Sequence, residues 1–298
     1  MPGRATVHGM DGKVVLLTGA TAGIGKEAAK QLAEQGAELI CVGRNPSKTE
    51  ALVAELRSAT GNDAIGFLIG DLSRPAECQA VAKAFVAEHD RLDVLFNNAG
   101  ALFTDRRLTE DGLERTFALN HLGYFVLTEL LVDVLKAAAP SRIVSTASDA
   151  HSAGDLSYLD DLQTTTWGAS GFKAYGRSKL ANIWFTRQLA ERLKGTGVTA
   201  HCFHPGFVAS DFARNNGVLA KLVMTISRPF QRTVQQGADT GVWLATEDEI
   251  PGESGGYWYE RRRKKGTRDA RDPEAPARLW KESERIVSEL LGENWRRL

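Results

Sequence analysis

The sequence predicts a single α/β domain built on a doubly wound parallel sheet with helices on both faces. Three observations predict it. Short β-branched or aliphatic runs alternate with amphipathic stretches well past the middle of the chain. The runs are apolar on both faces, as in strands covered on both sides. A glycine-rich turn joins the first run directly to the first helical stretch. Right-handed crossovers between parallel strands then give a doubly wound sheet.

The strand runs are Val14–Leu17, Glu38–Val42, Ala64–Ile69, Leu92–Phe96, Arg142–Ser145 and Val198–Phe203. Between them, Leu52 and Leu56 lie one helical turn apart, as do Val81 and Phe85, and Leu113, Phe117 and Tyr124 mark a longer helix. No repeat or low-complexity linker interrupts the pattern, so residues 1–298 are expected to form one domain. After Gly206 the pattern loosens. Residues 207–232 are rich in Leu, Val, Met and Phe and are expected to form a substrate lid. A helix over Thr233–Thr246, a last strand at Gly255–Tyr259, a solvated basic loop at Arg261–Lys265 and a terminal helix over 276–291 complete the chain.

Composition excludes several classes. Apolar residues make up 43% and charged residues 25%, a balance that needs no disulfide or metal to complete a core. Lys+Arg and Asp+Glu both number 37, so no net field draws nucleic acid or an anionic membrane. Cys41, Cys78 and Cys202 have no metal-ligand or redox spacing and are expected to be reduced core residues. Met1–Met10 holds no apolar run, and no stretch reaches the roughly 20 apolar residues of a membrane span. A soluble, cytoplasmic protein without a bound metal is the expectation.

Thr18–Gly25 (Thr-Gly-Ala-Thr-Ala-Gly-Ile-Gly) closes the first strand, and a helical pattern begins at Lys26. Glycines there let the backbone approach a pyrophosphate, and the helix N-terminus offers N–H groups and partial positive charge. Gly19, Thr21, Ala22, Gly23, Ile24 and Gly25 are the candidate contacts. An acid at the end of the second strand would bind the ribose 2′-hydroxyl of NAD. The chain has Gly43-Arg44-Asn45 instead, and a guanidinium pairs with a 2′-phosphate. NADP (NADPH) is therefore the expected cofactor, NAD the alternative, with Arg44 discriminating and Asn45 and Lys48 nearby.

Tyr175 and Lys179 lie one turn apart at the start of a long helical pattern, so they share a face. A phenol titrates near 10, and an ammonium beside it is expected to lower that value. Ser148 follows the fifth strand, at the carboxyl edge where parallel sheets bind ligands. Asn120 interrupts an apolar helix stripe and needs polar partners. Asn97–Gly100 and His204–Gly206 close the fourth and sixth strands and should face the same edge.

This ordered set, with Asp71 and Pro205–Ser210, resembles the short-chain dehydrogenase/reductase family over essentially the whole chain. Ser148-Asp149-Ala150-His151, Tyr175-x-x-Ser-Lys-Leu-Ala-Asn182 and Ser254–Trp258 resemble its retinol-dehydrogenase-like branch. The resemblance implies a Rossmann-type fold and a role for each residue. Tyr175 would be the general acid/base, Lys179 would bind the nicotinamide ribose, Ser148 would orient the substrate oxygen, and Asn120 would hold a water in a proton relay. Asp71 and Leu72 would contact adenine, and Asn98, Ala99 and Gly100 the adenine-side ribose. Pro205, Gly206, Val208 and Ser210 would border the nicotinamide. Pairing into a dimer or tetramer through the helices bearing Asn120 and Tyr175 is also implied. The N-terminal membrane anchor of many animal members has no counterpart in Met1–Met10.

The leading functional expectation is an NADP(H) oxidoreductase interconverting an alcohol and a carbonyl on an apolar molecule of lipid, steroid, retinoid-like or aromatic type. An NAD-dependent alcohol dehydrogenase of the same fold is the alternative. A non-catalytic nucleotide-sensing protein is more distant, because Tyr175 and Lys179 are both present.

Overall fold

The structure, a computed structural model, describes residues 9–165, 171–208 and 232–298. One eight-stranded sheet runs in the order β3-β2-β1-β4-β5-β6-β7-β8. Its strands are β1 Val14–Thr18, β2 Glu38–Gly43, β3 Ile65–Ile69, β4 Val94–Asn97, β5 Ser141–Thr146, β6 Val198–Phe203, β7 Gly256–Tyr259 and β8 Arg262–Lys264. The first seven pair in parallel, and β8 adds an antiparallel edge. The reversal of strand order between β1 and β4 opens a crevice at the carboxyl edge, where Gly19 and Asn98 lie.

Successive side chains of β1 serve opposite cores, as a strand's two-residue period requires. Val14 and Leu16 join a core with helices α3 (Pro75–Glu88), α4 (Arg115–Ala137), α5 (Gly171–Arg192) and α7 (Ala275–Leu291). Val15 and Leu17 join the opposite core with α1 (Gly23–Glu34), α2 (Pro46–Thr60) and α6 (Val234–Thr246). The helix expected at Thr233 starts at Val234, with the Thr233 hydroxyl and Gln236 forming a reciprocal cap.

Three local features differ from expectation. The basic run at Arg261–Lys265 is not a loop, because Arg262–Lys264 pairs with β7 as β8. Glu260 and Arg261 form the two-residue turn, at φ 51° and 55°, a conformation costing non-glycine residues roughly 1–2 kcal/mol each. Arg261 Nε bonds Asp239 on α6 at 3.0 Å and braces that turn. Inside α4 the backbone widens into a π-helical turn at Ala118–Leu122, which carries Asn120. Finally, α4 is long and apolar enough to cross a membrane by length and composition, against the reading that no stretch is. Of its most apolar window 72% is buried, because the helix packs between the sheet and α7.

The outer face of α4 and α5 is covered by α7 of the same chain. Trp280 lies 5.0 Å from Phe125 and stacks on Phe185 at 5.9 Å. Ser283 meets buried His121 at 2.9 Å, and Arg296 bonds Glu129 at 2.9 Å. The resemblance implies pairing through α4 and α5, and Trp280 of α7 contacts both of them.

Candidate functional site

A cavity of about 1660 Å³ opens along the carboxyl edge of the sheet, lined by strand ends from β1 to β8. At one end lies the turn between β1 and α1. Gly19 (φ 68°) and Gly23 (φ 53°) adopt the left-handed conformation. A Cβ on Gly25 would fall 2.2 Å from the Gly19 carbonyl and 2.4 Å from Asn98 Nδ2, so only glycine allows the turn to close this tightly. Helix α1 starts from Ala22 without a side-chain cap and has no acidic residue in its first turn. Its N–H groups therefore meet the cavity uncapped, as an anion-binding helix terminus requires.

Strand ends are locked around this turn. Thr18 Oγ1 accepts from the backbone N–H groups of Asn98 and Ala99 at 2.9 and 3.0 Å. Asn98 Nδ2 donates to the carbonyls of Thr18 and Gly19, and its Oδ1 accepts from Thr146. One side chain thus joins β1, β4 and β5. Arg44 lines the cavity at the end of β2, exposed and without a carboxylate partner among the described residues. Asp71 and Leu72 line it beyond β3. Asn45 does not reach the cavity, because its Oδ1 caps α2 by accepting from Lys48 N at 2.9 Å. This uncapped, glycine-lined cradle suits a dinucleotide pyrophosphate.

Tyr175, Lys179 and Ser148 meet at the centre of the cavity. A Cβ on Gly176 would lie 2.4 Å from the Ala150 carbonyl, so glycine lets α5 close onto the loop after β5. That approach brings the Tyr175 and Ser148 hydroxyls into hydrogen-bond contact. Lys179 Nζ donates to the Thr146 carbonyl at 2.9 Å and stands 5.6 Å from the Tyr175 ring centroid. Burial pushes the Tyr175 phenol up to about 12, opposed by the Ser148 bond. Burial likewise lowers the Lys179 amine to about 7. Desolvation, which favours the neutral form of both groups, thus sets both directions in place of the expected lowering of the phenol by Lys179.

Asn120 is fully buried, and its side chain is committed to protein partners. Its Oδ1 accepts from Ala101 N, and its Nδ2 donates to Ala101 O and to Ser178 Oγ at 2.9 and 3.0 Å. It ties the loop after β4 to α5. Pro205, Gly206 and Val208 line the cavity, whereas Ser210 and lid positions 209–231 fall outside the described residues.

Sequence reasoning placed His204 at this carboxyl edge and missed Lys264 and Lys265 beside it. His151 pins the serine loop, meeting the Ser148 carbonyl through Nδ1 at 2.8 Å and accepting from Thr267 N through Nε2 at 3.3 Å. His204 stacks on Tyr259 with centroids 4.0 Å apart. Lys264 and Lys265 line the same end. Their only sequence signal was the basic run, which gave no hint that β8 would fold back along β7.

A family model described as short chain dehydrogenase matches residues 13–159. Retinol dehydrogenase 12 of Mus musculus is 42% identical over 284 residues, covering 95% of this chain and 88% of that protein. Retinol dehydrogenase 13 of Homo sapiens is 38% identical over 291 residues, covering 96% and 87%. Among solved structures, an uncharacterised protein from Mycobacterium paratuberculosis superposes with TM-score 0.76 at 28% identity, covering 93% of this chain and 94% of that one. The RhlG/NADP active-site complex of Pseudomonas aeruginosa superposes with TM-score 0.68 at 25% identity, covering 85% and 96%.

Proposed function

The chain belongs to the short-chain dehydrogenase family, and on that premise we propose that it is a single-domain, NADP(H)-dependent oxidoreductase interconverting an alcohol and a carbonyl on an apolar small molecule. Family membership makes it an oxidoreductase acting on CH–OH groups with a nicotinamide cofactor. Arg44 supports NADP over NAD, since it lines the cavity beyond β2 without a carboxylate partner among the described residues. The relatives named for retinol, an apolar alcohol, and the Leu102, Phe103 and Phe172 wall support the substrate class. Three buried, unpaired cysteines accord with a cytoplasmic setting.

The single observation that carries the reading is the convergence of the Tyr175 and Ser148 hydroxyls and the Lys179 amine on one cavity. Burial holds Tyr175 as an acid across the neutral range, the state needed to give a proton. A bound nicotinamide would supply the hydride that forms the new C–H bond. Tyr175 Oη then gives its proton to the substrate oxygen, while the Ser148 hydroxyl holds that oxygen as charge develops. Lys179, fixed by the Thr146 carbonyl, stands beside the phenolate left behind and stabilises it. Asn120 positions the loop and helix that carry these groups.

A panel of alcohols, aldehydes and ketones assayed with NADP(H) and NAD(H) tests this reading. NADPH-dependent carbonyl reduction is expected, and Arg44→Ala should weaken NADP(H) binding roughly ten- to a hundredfold while sparing NAD(H). Equal use of both cofactors, unchanged by Arg44→Ala, would favour an NAD enzyme. Turnover of nothing in the panel would favour a nucleotide sensor.

A further inference from the structure

The cavity lining is of two kinds. Part of its lining is apolar, with Leu102 and with Phe103 and Phe172 about the start of α5. Another part, beyond His151, carries Lys264 and Lys265, both exposed and neither with a carboxylate partner among the described residues. Charged side chains on a cavity wall are the feature that an apolar substrate alone leaves without purpose.

The donors on this wall are arranged around Tyr259. His204 stacks on one face of the ring, and Lys264 Nζ lies 5.5 Å from the ring centroid. Gly206 N–H donates to His204 Nδ1 at 3.3 Å, so the neutral imidazole carries its proton on Nε2. Burial holds that ring neutral, at about 4. His204 therefore offers an N–H donor beside the Lys264 ammonium. The opposing charge at this end is Asp149, an exposed carboxylate. Arg232 also stands near the Tyr259 ring, but Glu260 occupies it at 2.7 Å. The free charges are then two lysines against one aspartate, a net positive wall.

This wall is close to the reacting centre. His151 links the Ser148 carbonyl to Thr267 N, and at most about 7 Å of chain separates Thr267 from Lys265. An acid held by the lysines thus sits a short chain away from a carbonyl held by Ser148 and Tyr175.

We propose that the substrate is amphipathic, an aldehyde or ketone whose apolar chain ends in a carboxylate or similar anion held by Lys264, Lys265 and the His204 N–H. The proposal rests on the alcohol/carbonyl reading above and specifies its substrate. The redox step keeps its balance, with hydride to the carbonyl carbon and the Tyr175 proton to its oxygen.

The test compares an eight-carbon aldehyde ending in a carboxylate with its methyl ester, in the full chain and in Lys264→Glu/Lys265→Glu. The full chain should prefer the acid in kcat/KM, and the double substitution should lower the acid-to-ester ratio by about tenfold or more. The preference should also shrink as salt is added, because the lysines are exposed. A ratio at or below one, or one that the substitution leaves in place, overturns the proposal. Titration of octanoate against octanol, read by intrinsic fluorescence, separates the two claims. If neither aldehyde is reduced, the oxidoreductase reading fails. Salt-sensitive octanoate binding lost in the double variant then still supports the anion site, and binding indifferent to salt and substitution rejects it.

Discussion

Replacing Lys179 by methionine should make the protein more stable at neutral pH while removing its activity. Lys179 is 2% exposed, and burial lowers its amine to about 7, against about 10.4 in an unfolded chain. The folded pKa is the depressed one, so between pH values near 7 and 10.4 the unfolded state binds more protons. Stability contributed by this group therefore rises with pH across that window and is smallest below it. A shift of three to four units corresponds to a ceiling of about 4 kcal/mol at pH 7. Methionine has a similar length and no charge to bury. It also leaves no orphan, because the Thr146 carbonyl still accepts from Asn182 Nδ2 at 3.2 Å. Urea unfolding of both proteins from pH 6 to about 10 measures the difference. Lys179→Met should be the more stable by a few kcal/mol near pH 7, and the gap should close towards pH 10. A variant less stable at pH 7, or a gap independent of pH, would refute the reasoning. The predicted gap would mark a buried amine kept for chemistry at the expense of the fold.

Other perturbations have defined outcomes. Alcohol oxidation should accelerate with rising pH, because it needs the phenolate of a group pushed up to about 12, whereas carbonyl reduction should hold level through the neutral range. Initial rates in both directions across pH check this. Gly176→Ala, whose Cβ would press on the Ala150 carbonyl, should part Tyr175 from Ser148 and lower kcat more than cofactor affinity. Trp280→Ala should cost roughly 3–5 kcal/mol in urea melts, since the ring fills the contact between α7 and both Phe125 and Phe185.

Local chemistry was the part legible in the sequence. Strand ends fell within two residues of expectation because unbroken apolar runs leave little freedom, and glycine spacing and the one-turn Tyr175–Lys179 interval located the cavity. Properties set by long-range packing were not legible. Asn45 stands beside Arg44 in the sequence, yet its side chain caps the start of α2, a bond that the βα spacing alone does not report. The hairpin at β8 carries no Asn-Gly turn signal, since Arg261 is held by Asp239 from a distant helix. The order of the Tyr175 and Lys179 pKa values depends on burial, which spacing along a helix does not report.

The proton transfer by Tyr175 is tested most directly by Tyr175→Phe, assayed for carbonyl reduction by NADPH absorbance alongside NADPH binding by fluorescence. The phenyl ring keeps the shape of the cavity and removes only the hydroxyl shared with Ser148. A loss of turnover of about a hundredfold or more, with NADPH binding retained, is the predicted result. Turnover within a few-fold of the unsubstituted protein would contradict it.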